Sequence, residues 1–269
     1  MEYCRKLTRD TDGDGKPDIV GYGTTIRNEW NWSNLFLSFG GTVYDPKTRK
    51  VFLNTDAAYQ ATDTFYKMIL EGTAKFAEGY DHQNDWLAGK VGMFESSIVS
   101  RVYLKGKIKF DFGVAPAING DVTPAVVLSG TNVNIFNNDD PEKIAGSWDF
   151  IKWFTSPEIG ARWSLGSTYM PVRKSTLNSR VLQDAIAEDP NLAAPYRQLD
   201  YAEFSPRIPE WFECRVKISD ELEQLYIKAA ELNDKGETAD SDLVRYHIDK
   251  MQTNVSYILD HSLEAQFQE

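Results

Sequence analysis

Apolar positions recur at helical spacing in several stretches of this chain. Ala58, Ala61, Phe65, Met68 and Ile69 form one stripe, which stops at Gly72, and Leu243, Ile248, Met251, Val255 and Ile258 form another near the C-terminal end. Val216, Ile218, Leu222 and Leu225 predict a further helix, entered from an extended segment, Tyr201 to Trp211, that two prolines stiffen. Lys235-Gly236 then turns the chain. Trp32, Phe36 and Phe39 share a helical register that ends at Gly40-Gly41. Thr42 to Leu53 predicts a hairpin turning at Asp45-Pro46, Ile19 to Gly23 a strand, and Glu2 to Thr8 a polar helix. From Gly146 to Lys174 the pattern predicts a buried helix, a short second helix and a loop running into an extended Met170-Pro171-Val172-Arg173. Asp140 caps the first of these helices, with Pro141 at its first position and Ile144, Trp148 and Ile151 on one face. Ser156-Pro157-Glu158 repeats the start signal. Gly166, after Trp163 and Leu165, is expected to be the left-handed residue that ends the second helix.

Composition narrows the class. The 269 residues suffice for two modest lobes, and 42% hydrophobic with 26% charged residues is ordinary for a globular protein. A net charge of −11 and a pI near 4.9 argue against a nucleic-acid partner, whose phosphates would repel the chain. No apolar run approaches the roughly 20 residues that span a bilayer, so direct membrane insertion is not expected. Cys4 and Cys214 can pair or remain two buried thiols. No internal repeat or low-complexity segment is present.

Catalytic and metal motifs are sparse. His82, His247 and His261 are scattered, without H-E-x-x-H or C-x-x-C spacing, and no G-x-S-x-G or G-x-G-x-x-G occurs. Lys90 lacks the glycine spacing of a phosphate loop. Asp10, Asp12, Asp14 and Gly15 match the first half of a calcium loop, with the Lys16 carbonyl and Asp18 as further ligands. Alternate carboxylates around a sharp turn converge on one hard cation. The twelfth position, however, is Gly21 rather than a bidentate Glu, so a solvated Asp/Gly turn is the equal alternative to a structural calcium site. No other cofactor is expected.

Binding chemistry is better represented. Arg27-Asn28-Glu29-Trp30-Asn31-Trp32 places two indoles beside a carboxylate and amides, rings for the apolar faces of a sugar and polar groups for its hydroxyls. Trp32 is the one more strongly tied to the core. Ser96 and Ser97 follow the apolar Val91 to Phe94, at an edge where α/β proteins bind ligands, and helix capping is a compatible role for them. Trp211 is an aromatic candidate, equally placed for core packing. Arg207 and Arg215 suit an anionic group.

Several segments resemble one family. Gly146-Ser-Trp-Asp-Phe-Ile-Lys-Trp-Phe-Thr-Ser-Pro-Glu158, followed by Met170-Pro-Val-Arg173, is similar to a helix and loop of the carbohydrate-type solute-binding proteins of ABC transporters, which include maltose-binding and glycerol-3-phosphate-binding proteins. Asp10 to Asp18, Trp86 to Ser97, Phe112 to Pro116, Ser129 to Ile135 and Pro206 to Trp211 resemble further segments of that family, the third and fourth of them strands.

The resemblance implies an α/β, two-lobe periplasmic-binding-protein-like fold with one lobe nearly complete, 1–124 plus 175–269, and the other partial, 125–174, hinged near its ends. It further implies that about a third of a complete protein, with its signal peptide, precedes Met1. The implied protein is a monomeric, extracytoplasmic receptor, periplasmic or lipid-anchored, that takes a sugar from an interlobe cleft to a membrane permease. The expected ligand residues are Glu29, Trp30, Trp32, Ser96, Ser97, Ser129, Gly130, Gly166, Thr168, Tyr169, Arg207, Trp211 and Arg215. A phosphorylated polyol held by Arg173, Arg207 and Arg215 is the second reading. A glycosidase using Glu29 and Glu95 is the third.

Overall fold

A computed structural model describes residues 1–238 and 240–262, the side chain of Ser241 excepted. In chain order the elements are α1 (Glu2–Leu7), β1 (Val20–Thr25), α2 (Glu29–Ser38), β2 (Tyr44–Asp45), β3 (Lys50–Val51), α3 (Asp56–Leu70), β4 (Ala74–Ala77), α4 (Asp81–Leu87) and β5 (Val91–Phe94). They continue as α5 (Ser100–Leu104), β6 (Val126–Leu128), α6 (Pro141–Phe154), α7 (Pro157–Ser167), α8 (Arg180–Glu188), α9 (Ala193–Tyr196), β7 (Ala202–Phe204), α10 (Trp211–Lys235) and α11 (Ser241–Asp260). The chain divides into two compact units. The larger holds 1–96, 117–128 and the described residues from 201 on, and the smaller holds 97–116 and 129–200.

In the larger unit β1 is the central strand of a parallel β4-β1-β5 sheet, with Tyr22 opposite Ala74 on one side and Met93 on the other. A parallel strand covered on both faces needs a short apolar run, and residues 21–24 are all buried. Gly21 lets α1 lie directly against β1: a Cβ there would fall 2.0 Å from the Cys4 carbonyl oxygen, so any side chain would push the helix off the sheet. The stripes predicted for α3, α10 and α11 meet in one core, where Phe65, Met68, Ile218, Leu222, Leu225, Ile248, Met251 and Val255 are buried. Thr55 caps α3 by accepting from the Ala58 N–H, and Gly236, left-handed at φ 65°, closes α10. The hairpin pairs Tyr44 with Val51 as expected from Asp45-Pro46. Cys4 and Cys214 are separate buried thiols, and burial pushes the Cys214 thiol up to about 12.

The smaller unit has no strand among its described residues. Here three expectations fail. Phe112 to Pro116 and Ser129 to Ile135, expected as strands, belong to no ladder, because a strand needs a partner backbone and this unit offers none. The helix expected to be buried is α6: Asp140 caps it through the Glu142 and Lys143 N–H groups, but none of its residues is buried. Gly166 remains helical, and Thr168, at φ 62°, is the left-handed residue that ends α7. That conformation is unfavourable for threonine, and the Thr168 hydroxyl is held there by the Ile98 and Ser167 carbonyls.

The lobes expected from the resemblance put 97–116 and 175–200 with the larger body. By packing these segments go together in the smaller unit, joined by an Arg101–Asp189 ion pair at 2.7 Å and by the Val114 N–H donating to Asn191 Oδ1. Conversely, residues 125–128 belong to the larger unit, where 126–128 pair as β6 with β7.

Candidate functional site

The chain leaves β1 at Thr25 and enters α2 at Glu29, so the first turn of α2 sits past the C-terminal end of a parallel strand, where open α/β sheets bind ligands. Glu29 is only 3% exposed. Its Oε1 accepts from the Ser33 hydroxyl at 3.1 Å, and Arg215 Nε on α10 stands 4.0 Å from Oε2. Oε2 has no hydrogen-bond partner among the described residues. Burial pushes the Glu29 carboxyl up to about 7, against the downward pull of Arg215 and Ser33. The same Arg215 guanidinium lies over the half-buried Trp30 ring, 4.9 Å from its centroid. The buried Asn28 amide and Tyr226 hydroxyl make no hydrogen bond of ordinary geometry among the described residues, and burial pushes the Tyr226 hydroxyl well above its usual range, against a weaker downward pull from Asn28. A half-buried ring, a cation and a carboxyl poised between donor and acceptor can hold a hydroxylated ligand.

A second polar group lies along the same sheet edge. Glu95, just past β5, accepts from the Tyr22 hydroxyl at 3.0 Å and from Asn34 Nδ2 at 3.3 Å. The residue as a whole is only partly covered, but its carboxyl points inward. Enclosure pushes it up to about 7 while Tyr22 and Asn34 pull it down. Asn34 also accepts the Val127 N–H, and Asn31 donates to Thr24, whose hydroxyl donates to the Glu95 carbonyl. Tyr22, Thr24 and Asn34 were not among the residues expected at the site, and Asn31 entered only as one of the amides flanking Trp30. The spacing of Asn31 and Asn34, three apart on α2, was the available signal.

The other expected residues separate. Trp32 is fully buried, stacked on Phe36, and its Nε1 donates to the Thr62 hydroxyl, so it is core. Trp211 is 8% exposed in the same core, and Arg207 lies over the Phe204 ring. Ser96 accepts from Gln83 Nε2. In the smaller unit Ser97 accepts the Val99 N–H at 3.4 Å but does not cap α5, whose N-cap is Val99 without a side-chain hydrogen bond, and a Cβ on Gly130 would lie 3.9 Å from the Tyr169 ring. Ser129 and Gly166 are exposed. Glu29, Trp30 and Arg215 therefore form one group, and Gly130 and Tyr169 a pair. A cavity of about 790 Å³ between the ends of α10 and α11, lined by Glu210, Glu213, Lys217, Tyr257 and His261 among others, includes none of the expected ligand residues.

In the acidic turn Asp10, Asp12 and Asp18 each bring a carboxylate oxygen within 4.8 Å of the others, and all are exposed. Asp14 stands outside this group and accepts the Lys16 N–H. Asp10 accepts the Gly15 and Gly13 N–H groups and Asp18 the Thr11 hydroxyl and N–H, which holds both carboxyls below the usual range.

The sequence pattern of the family described as bacterial extracellular solute-binding protein matches residues 2–194, well over half of the chain, and the chain belongs to that family. A protein of Brucella abortus (strain 2308) named as a binding protein is 26% identical over 211 residues, 75% of this chain and 47% of the relative, so the chain spans about half the length of the curated relatives it matches. Among solved structures, the cyclic alpha-maltosyl-1,6-maltose binding protein of Arthrobacter globiformis matches with a TM-score of 0.74 at 22% identity over 93% of this chain and 61% of that one. The sugar-binding protein MalE of Xanthomonas citri matches with 0.74 at 16%, over 94% and 61%. UgpB of Mycobacterium tuberculosis, in complex with glycerophosphocholine, matches with 0.66 at 21%, over 90% and 59%. At such identities the likeness shows the fold, which is the α/β two-lobe type expected, held in part. The family and these neighbours are binding proteins, not enzymes. Among the described residues no helix is long and apolar enough to cross a membrane.

Proposed function

We propose that this chain is part of an extracytoplasmic receptor that captures a sugar or oligosaccharide and presents it to an ABC permease, acting as a monomer and without nucleic acid. The observation that carries the reading is the group of Glu29, Trp30 and Arg215 at the sheet edge. Trp30 offers a face for sugar C–H groups, and Glu29, near neutrality, can accept from or donate to a hydroxyl. Family membership and the sugar-binding neighbours support the same reading. Calorimetry with a panel of neutral sugars on the longest gene product containing this chain tests it. Binding is expected, and Trp30→Ala should weaken it by about two- to tenfold, in line with the ~0.5–1.5 kcal/mol of one aromatic stack. Binding only to phosphorylated solutes, abolished by Arg215→Ala or Arg207→Ala, would instead establish the polyol reading. The accessible Arg215 guanidinium and the glycerophosphocholine complex of UgpB favour that second reading.

For the acidic turn we propose a structural calcium ion on Asp10, Asp12 and Asp18, since their oxygens already converge. A hundredfold excess of calcium over its dissociation constant should then stabilise the protein by about 2.7 kcal/mol, read as a rise in melting temperature. No rise at millimolar calcium leaves a solvated turn whose carboxylates serve its own backbone.

A further inference from the structure

The chain passes between its two units four times, at 96/97, 116/117, 128/129 and 200/201, and within the larger unit the ends of these crossings are tied to one another. At the first, the Glu95 N–H donates to the Gly23 carbonyl and the Glu95 carbonyl accepts the Thr24 hydroxyl, so the residue is fixed to β1. Its carboxyl accepts from Tyr22 and from Asn34 Nδ2, and the Ile118 N–H, just past the second crossing, also favours its ionised form. At the third, the Val127 N–H donates to Asn34 Oδ1 at 2.7 Å. At the fourth, Phe204 of β7 lies opposite Leu128 of β6. Ser38, one turn beyond Asn34 on α2, holds the segment between the second and third crossings through the Gly120 and Thr123 N–H groups.

Asn34 is the shared piece. It is 6% exposed, and its amide nitrogen meets Glu95 while its amide oxygen meets Val127, so one side chain joins the first crossing to the third. Among the described residues the groups acting on the Glu95 carboxyl carry no charge: β1 presents the Tyr22 hydroxyl, α2 the Asn34 amide and the 117–128 segment the Ile118 N–H. From α4, the buried His82 lies against the Phe94 ring at 5.9 Å, and burial favours its neutral form. Glu29, also on α2, bonds Ser33 rather than this network. A carboxylate enclosed by neutral donors alone is better accommodated with its proton on, and the proton then lies between Glu95 and the Tyr22 oxygen.

We infer that Glu95 is a proton-operated clasp on these crossings. Protonated, it closes the network and holds Ile118 and, through Asn34, Val127. When the proton passes to solvent, the carboxylate favours an opened form in which it reaches water and the backbone beside the second and third crossings is released. A few backbone positions of this kind absorb rearrangement between units, so acid stiffens the crossings and neutral pH frees them.

Amide hydrogen exchange of this chain from pH 4.5 to 8, without solute and corrected for the intrinsic rate, tests it. The closed form keeps the proton up to about pH 7 and an opened, solvated carboxyl only up to about 4.5, so opening becomes easier as pH rises between those values, about tenfold per unit and about 300-fold in all. The Ile118 and Val127 amides should lose about that factor in protection. In Glu95→Gln their protection should be level with pH, whereas Glu29→Gln should keep the dependence. In Asn34→Ala the Val127 amide should be poorly protected throughout while Ile118 still follows pH. In dilute urea both amides should show less urea dependence than the core amide of Ile248, the mark of a local opening. Protection that is level with pH in the parent, that falls equally in Glu95→Gln, or that shares the urea dependence of Ile248 overturns the inference. Should Glu95→Gln not fold, the parent profile and the split between Val127 and Ile118 in Asn34→Ala decide it. No solute enters these measurements, so their failure leaves the receptor reading standing, and failure of solute binding leaves the clasp standing.

Discussion

At pH 8 the Glu95→Gln protein is expected to be more stable than the parent by up to about 3 kcal/mol, and near pH 4 the two should be equally stable. The folded protein holds the Glu95 proton up to about pH 7, whereas an unfolded chain releases it near 4.5. Between those values the native state binds more protons than the unfolded state, so stability falls as pH rises and levels off above about 7. Glutamine abolishes that slope without leaving a gap. Its Oε1 still accepts from Asn34 Nδ2, and the Tyr22 hydroxyl can turn from donor to acceptor for the new amide. Glu29, also raised to about 7, contributes a second slope of the same sign, which Glu29→Gln should remove separately. Asp10 and Asp18, held low, act in the opposite sense and only at acid pH, and they cancel when variant and parent are compared. Urea titrations from pH 4 to 8 read the difference directly. An unchanged slope in Glu95→Gln would show that the carboxyl is ionised and solvated in the native state.

Glu221→Ala is expected to destabilise the larger unit by about 1–3 kcal/mol, the usual cost of leaving a buried hydrogen-bonding group without its partner. Glu221 on α10 is 4% exposed and His247 on α11 is 5% exposed, with His247 Nδ1 2.8 Å from Oε2. The other carboxylate oxygen meets Lys250 Nζ at 3.5 Å and Asn254 Nδ2 at 3.3 Å. Alanine leaves the imidazole buried without its partner and opens a void between the two longest helices of the core, while Glu221→Gln keeps one acceptor and should lose less. Denaturant unfolding of the two variants separates these effects. Equal, small losses would mean that water replaces the carboxylate.

The site itself is a matter of long-range pairing. Glu29 and Arg215 are distant in sequence, and each is ambiguous alone: an acid in the first turn of a helix, and a cation on the flank of another. What makes them a group is that α2 and α10 pack so that one guanidinium covers Trp30 and approaches Glu29. The Glu95 network has the same origin, since Tyr22, Asn34 and Glu95 come from a strand, a helix and the end of another strand.

The sequence by itself determined whatever depends on neighbours a few residues apart. The stripes of α3, α10 and α11, the Asp140 cap with Pro141, the turn at Asp45-Pro46, the core register of Trp32 with Phe36 and the family membership were all legible, because helical and turn periodicities are local. The tertiary structure alone decided the rest. Whether α6 is buried depends on what lies against it, and its rings look the same in the sequence whether covered or bare. Thr168 rather than Gly166 ends α7, its left-handed backbone accompanied by hydroxyl bonds to the adjacent Ser167 carbonyl and to the Ile98 carbonyl seventy residues earlier. Likewise 97–116 and 175–200 share a unit through contacts distant in sequence, Arg101 on Asp189 and the Val114 N–H on Asn191 among them. Such pairings are chosen by packing across the chain, and no local pattern encodes the partner.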